Sequence, residues 1–121
     1  MSYSPLWDGT TVTLSLAIGT NNNVDVTQAA IALTGAVGAP FNISGLQVGW
    51  DATLNPWPQR APLVLVNNSG QTMTLKNRSG LSALTNNIAT SSGADVTVTS
   101  GQVVTLAYDA LSQIWRILSI T

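Results

Sequence analysis

Apolar and polar positions alternate with a period of two along most of this chain. Val12, Leu14, Leu16 and Ile18 alternate with Thr11, Thr13, Ser15 and Ala17, which predicts a half-buried strand. Gly19-Thr20-Asn21-Asn22-Asn23 predicts a turn, because Gly and Asn tolerate positive φ and Asn caps its own backbone. Val24 and Val26 restart the alternation, and Ile31 and Leu33 continue it beyond an Ala-rich piece. Gly35, Gly38 and Pro40 stop any helix from growing there. Phe41, Ile43, Leu46, Val48 and Trp50 predict two short strands, or one strand bulged at Gly45.

The stretch Asp51 to Pro62 holds Pro56, Pro58 and Pro62 and reads as a loop or an edge, since Pro lacks the amide donor of a ladder. Leu63-Val64-Leu65-Val66 is a continuous apolar run, expected of a strand covered on both faces. Asn67-Asn68-Ser69-Gly70 predicts a hairpin-type turn, and Thr72 to Lys76 alternates again. Residues 78–93 read as a long ordered loop anchored by Leu81, Leu84 and Ile88. Asp95 to Thr99, Val103 to Tyr108 and Ile114 to Ser119 complete the strands, the last two joined by a hairpin loop at Asp109 to Gln113. Roughly eight short strands without a helix point to an all-β fold, an antiparallel sandwich of jelly-roll type. No repeat of fixed period is visible, which argues against a solenoid or β-helix, and no heptad marks a coiled-coil stalk. The expected organisation is an N-terminal arm over residues 1–9 and one β-sandwich domain over residues 10–121.

Composition narrows the functional classes. The chain has 121 residues with no Cys and no His, and all five of its carboxylate side chains are Asp. That removes thiol nucleophiles, Ser-His-Asp triads and nearly all transition-metal sites. Asp8, Asp25, Asp51, Asp95 and Asp109 mostly fall at predicted strand ends or turns, where Asp serves the backbone. Asn21-Asn22-Asn23-Val24-Asp25 is the only oxygen-dense run, and a polar turn accounts for it better than calcium does. No catalytic, cofactor or metal residues are assigned, and the expectation is a protein that is not an enzyme. A net charge of −1 offers no basic field for a phosphate backbone, so no nucleic-acid partner is expected. No apolar run approaches the ~20 residues that span a bilayer, so no membrane partner is expected either.

Charged residues make up 7% of the chain, where about 25% is usual for a globular domain. A surface so weakly charged risks self-association. This predicts that much of it is covered by copies of the same chain or by a partner. Two of the four tryptophans lie in loop-like contexts, Trp7 beside Leu6 and Trp57 in Asn55-Pro56-Trp57-Pro58-Gln59-Arg60. Trp and Arg are enriched at interface hot spots. Leu6, Trp7, Pro56, Trp57 and Arg60 are therefore the candidate contact residues. Lys76, the only lysine, reads as a solvated strand residue. Tyr108 and Trp115 flank the last hairpin as a cross-strand or diagonal aromatic pair, and Asp109 initiates its turn. Arg116 falls on the other face, positioned to reach an acceptor in the 78–93 loop or a neighbouring subunit.

The second half of the chain carries a resemblance. Its residues are Leu63-Val-Leu-Val-Asn-Asn-Ser-Gly, Thr72-Met-Thr-Leu-Lys-Asn-Arg-Ser-Gly, Asn86-Asn-Ile-Ala-Thr with Gly93-Ala-Asp-Val-Thr-Val, and Ser100-Gly-Gln-Val-Val-Thr-Leu-Ala-Tyr-Asp with Gln113-Ile-Trp-Arg-Ile-Leu. This half resembles a β-sandwich module of tailed-bacteriophage virion proteins, fibre-associated and head-decorating ones among them. The resemblance implies a structural protein that decorates and stabilises a phage capsid by binding its outer surface as a homo-oligomer, a trimer, with the major capsid protein as partner. It implies location on the virion after synthesis in the host bacterial cytoplasm. The alternative is a head- or tail-fibre tip that recognises a host glycan. Against that alternative stands the lack of a visible shaft, heptad or β-helix.

Overall fold

The computed structural model describes residues 11–26, 31–47, 62–109 and 111–121. They form twelve strands: β1 (Thr11–Leu14), β2 (Gly19–Asn21), β3 (Val24–Asp25), β4 (Ile31–Thr34), β5 (Phe41–Ile43), β6 (Leu46–Gln47), β7 (Leu63–Val66), β8 (Met73–Leu75), β9 (Ile88–Ala89), β10 (Val96–Val98), β11 (Val103–Asp109) and β12 (Ile114–Ile120). A single 3-10 turn, Leu84–Asn86, precedes β9. The all-β expectation holds for these residues, but the antiparallel jelly-roll sandwich does not describe how the strands pair.

The pairing is mixed and mostly parallel. β1 runs parallel to β4 and β4 parallel to β7. β2 runs parallel to β5 and β5 parallel to β8. β3 runs parallel to β6. Chain order is thus repeated across three sheets. β1-β2-β3 form one coil, β4-β5-β6 lie alongside it as a second, and β7-β8 begin a third. This is the stacked-coil arrangement that the missing repeat argued against. The reason lies in the connections. Thr11 opposes Ile31, Gly19 opposes Phe41 and Val24 opposes Leu46, steps of 20, 22 and 22 residues. Ile31 then opposes Val64 and Phe41 opposes Met73, steps of 33 and 32. The chain takes residues 26–30 to pass from β3 to β4 but residues 48–62 to pass from β6 to β7. The Pro-rich stretch sits in that longer passage, and it breaks the period.

Antiparallel strands end the parallel progression. β11 pairs with β7 through Val104 and Leu65, and β12 pairs with β11. β10 pairs with β8 through Val98 and Met73. β9 adds to β12 in parallel, with Ile88 beside Trp115. The six-stranded sheet therefore reads β1-β4-β7-β11-β12-β9 and the four-stranded sheet β10-β8-β5-β2.

Alternation turns one side of most strands inward. Ala32, Leu65 and Val104 form one buried row across the six-stranded sheet. Phe41, Met73 and Val98 form a row across the four-stranded sheet, and Ile43 pairs with Leu75 beside it. Val24 and Leu46 line the two-stranded sheet. All of these residues, with Trp115 and Tyr108, belong to one hydrophobic cluster. Each fully buried Leu, Ile or Phe contributes about 1.5–3 kcal/mol by leaving water. β7 is not covered on both faces as its apolar run suggested, because Leu63 and Leu65 are buried while Val64 and Val66 are only partly so. The Asn67–Gly70 turn also differs from expectation. It joins β7 to β8, which lie in different sheets, so it is a corner and not a hairpin.

Candidate interaction surface

The candidate contact residues Leu6, Trp7, Pro56, Trp57 and Arg60, like the expected arm over residues 1–9, lie outside the described residues. Among the described residues, the first coil has one side with no strand beside it. β1 is the terminal strand of the six-stranded sheet and β2 of the four-stranded sheet, and β3 has only β6 beside it. All three belong to one coil, so their edges form a common rim.

Hydrogen bonds identify which backbone groups face that rim. Leu14 O accepts from Gly35 N, and Asn21 O accepts from Ser44 N. Val24 N and Val26 N donate to Gly45 O and Gln47 O. Successive residues of a strand direct their peptide groups to opposite neighbours. Leu14, Asn21 and Val24 therefore bond into the second coil, and the backbones of Thr13, Thr20 and Asp25 face outward. All three residues are exposed. Within the rim lies an open concavity of about 420 Å³, lined by residues 13–16 and 21–25, with Leu14 and Val24 among its apolar residues.

The Asn run beside this concavity is committed to the fold. Asn21 Oδ1 accepts from Ala17 N, and its Nδ2 donates to Ala17 O and Asn42 O, at 2.9, 2.9 and 3.1 Å. Asn22 Oδ1 accepts from Ser44 Oγ at 2.6 Å. Asn23 adopts φ +47°, and its Oδ1 accepts from Ala83 N and Asn86 Nδ2 at 2.8 and 2.7 Å. These amides fasten the first coil to the second and to the 78–87 segment. Ser44 and Ser82 share a 2.6 Å hydrogen bond at the same junction. Gly45 has no room for a side chain there, since a Cβ would lie 2.6 Å from Ser82 Cβ and 2.7 Å from Asn86 O. A sugar or a cation would have to displace existing bonds to use these oxygens.

The opposite end is closed by charged and aromatic groups. Tyr108 and Trp115 are directly opposed, with ring centroids 5.3 Å apart and planes at 69°. Tyr108 OH donates to Thr85 O at 3.0 Å, and Trp115 Nε1 donates to Leu46 O at 3.0 Å. Burial raises the Tyr108 hydroxyl above the ordinary tyrosine value, and the Asp109 carboxylate adds to this. Asp109 Oδ1 accepts from Leu111 N and Ser112 N, which makes it the turn initiator expected of it. Among the described residues, Arg116 is paired within its own hairpin and not with the 78–93 loop. Its Nε bonds Asp109 Oδ2 at 3.0 Å within the same hairpin. That bond, with the Ser112 amide, holds the Asp109 carboxyl below the ordinary Asp value. Lys76 is not merely solvated, because its Nζ lies 2.8 Å from Asp95 Oδ2. Lys76 and then the Asn77 amide lower the Asp95 carboxyl in the same way.

The rim was missed in the sequence because edge status follows from register, and no residue type announces it. Its one local trace is the absence of Lys, Arg and Pro from Thr11 to Asp25, the residues that ordinarily protect an edge. No protein-family model, curated protein or solved structure matches this chain.

Proposed function

We propose that this chain is a non-enzymatic structural protein of a tailed-phage virion, which decorates and stabilises the capsid by binding its outer surface as an oligomer. The observation that carries the reading is the asymmetry of the coil stack. Among the described residues, antiparallel strands close one end, while the other is a rim of strand edges on which the one charged side chain is Asp25. Such a rim favours attachment to a protein surface. The low charge of the chain and the resemblance of residues 63–118 to virion modules support the same reading. Stabilisation follows from mass action, because a subunit that binds only the assembled shell stabilises it by RT ln(1 + [L]/Kd) at each site.

A second reading, the fibre tip that recognises a host glycan, gains from the coil stack. The objection that no β-helical shaft is visible weakens when the chain itself stacks parallel coils and ends them with a cap. The deciding measurement is copy number per purified particle, by quantitative mass spectrometry against the major capsid protein. Hundreds of copies are expected for a shell-covering subunit. A few dozen or fewer would move the protein to a fibre or vertex, and absence from particles would overturn both readings.

A further inference from the structure

We infer that residues 79–86 form a strap that lifts off the junction of the coils while the rest of the fold stays closed. The two ends of the strap are tied close together. Arg78 N donates to Ile88 O at 2.8 Å, and Asn87 O accepts from Trp115 N at 2.9 Å. Between these ties the chain makes a compact surface loop with adjacent ends. What holds it down is polar. Ser82 is its only buried residue, and Leu81 and Leu84 are 59% and 82% exposed. Asn23 N donates to Ser82 Oγ at 2.9 Å, Asn23 Oδ1 accepts from Ala83 N and Asn86 Nδ2, and Ser44 Oγ bonds Ser82 Oγ. Tyr108 OH bonds Thr85 O from the other side. Lifting the strap therefore uncovers little apolar surface, and its polar groups exchange protein partners for water at a small net cost per bond. At the C-terminal tie, Asn87 Oδ1 is buried with no hydrogen-bond partner. Lifting the strap brings water to that oxygen, which favours opening.

Gly45 is the seat on which the strap closes. The nearest atoms to a Cβ placed there all belong to the strap, Ser82 Cβ and Oγ at 2.6 Å and Asn86 O at 2.7 Å. Gly80, near the N-terminal tie, has open space around it, so the chain can turn there. Closed, the strap couples parts that are far apart along the chain: Asn23 of the first coil, Ser44 of the second and Tyr108 of the last hairpin. Open, it releases Asn23 and Ser44, whose groups a sugar or a cation would otherwise have to displace. The inference is independent of the capsid and fibre readings, which concern what the whole chain attaches to.

The test is amide hydrogen exchange of the full chain, followed by NMR over a series of low urea concentrations. The Asn23 and Ala83 amides should exchange at least about a hundredfold faster than the ladder amides of β11, at rates that hardly change with urea, as local opening does. The Val24 amide, bonded to Gly45 O, should stay slow, which separates lifting of the strap from loss of the first coil. Gly45→Ala places a methyl in the seat. It should leave circular dichroism unchanged and speed exchange at Asn23 and Ala83 by about tenfold or more, with Val24 still slower than both. Four results would overturn the inference: Asn23 and Ala83 amides as slow and as urea-dependent as those of β11, exchange at the unfolded rate in the unaltered chain, Val24 opening together with Asn23, or a Gly45→Ala chain that does not fold. The urea series on the unaltered chain decides the matter without the variant. None of these results would change the copy number on a virion, so the capsid reading stands or falls separately.

Discussion

Asn67 is fully buried, and its side chain makes five hydrogen bonds. Its Oδ1 accepts from Thr34 Oγ1, Ser69 N and Ser69 Oγ, and its Nδ2 donates to Gln71 O and Val98 O. It thereby ties the corner after β7 to the second coil through Thr34 and to the cap through Val98. Removing it strands several buried partners, each costing about 1–3 kcal/mol when left unpaired. Asn67→Ala should therefore lower stability by about 3 kcal/mol or more in urea denaturation. Asn67→Asp keeps the acceptor, loses the donors to Gln71 O and Val98 O, and should also destabilise. A loss below about 1 kcal/mol for Asn67→Ala would show that the corner repacks around water. The sequence marks Asn67-Asn68-Ser69-Gly70 as a turn, and that much is correct. It does not say that Asn67 points inward while Asn68 is exposed, because the two residues are chemically identical and only the corner's geometry separates them.

At the scale of elements, the last hairpin was the most legible part. Its strands, its Asp turn and its aromatic pair all depend on residues between Val103 and Ile120. Local alternation and cross-strand pairing suffice there. Gly19–Asn21 was less legible, since turn-forming residues proved to be strand β2. Its extended form comes from parallel pairing with Phe41–Ile43, 22 residues away, and nothing local encodes that partner. The hairpin also fixes the 3-10 turn at Leu84–Asn86 through the Tyr108 hydroxyl. Tyr108→Phe keeps the edge contact with Trp115 and deletes the bond to Thr85 O. It should cost about 1 kcal/mol, whereas Tyr108→Ala, which also empties the ring's place in the core, should cost about 3–5 kcal/mol. Equal losses in thermal denaturation would mean that the hydroxyl carries the contact and the ring does not.

For the whole molecule, the chain reveals its class more readily than its topology. Period-two alternation identifies strands but is blind to whether neighbours run parallel or antiparallel, and the unequal passages at 26–30 and 48–62 hide the coil step. Composition, by contrast, predicts a whole-molecule property directly. With no His, Cys or Glu, no side chain of the sequence has an ordinary pKa between those of Asp and of Tyr and Lys. Stability should be nearly level from about pH 5 to pH 9. Asp95 and Asp109 have folded-state values below the ordinary 3.8. Their ionised forms favour the fold, so that contribution is complete above 3.8 and fades as pH falls through the lowered values. Both pairs are exposed, so the acid limb should be shallow and should shrink further in high salt. Tyr108 is raised above 10.0. Its neutral form favours the fold, so stability should fall as pH rises through 10 and beyond. Melting temperature measured from pH 3 to pH 11 checks both limbs. Asp95→Asn with Asp109→Asn should flatten the acid limb, and Tyr108→Phe should remove part of the alkaline one. A steep transition near neutrality would contradict this account, because no side chain of ordinary pKa is present to produce it.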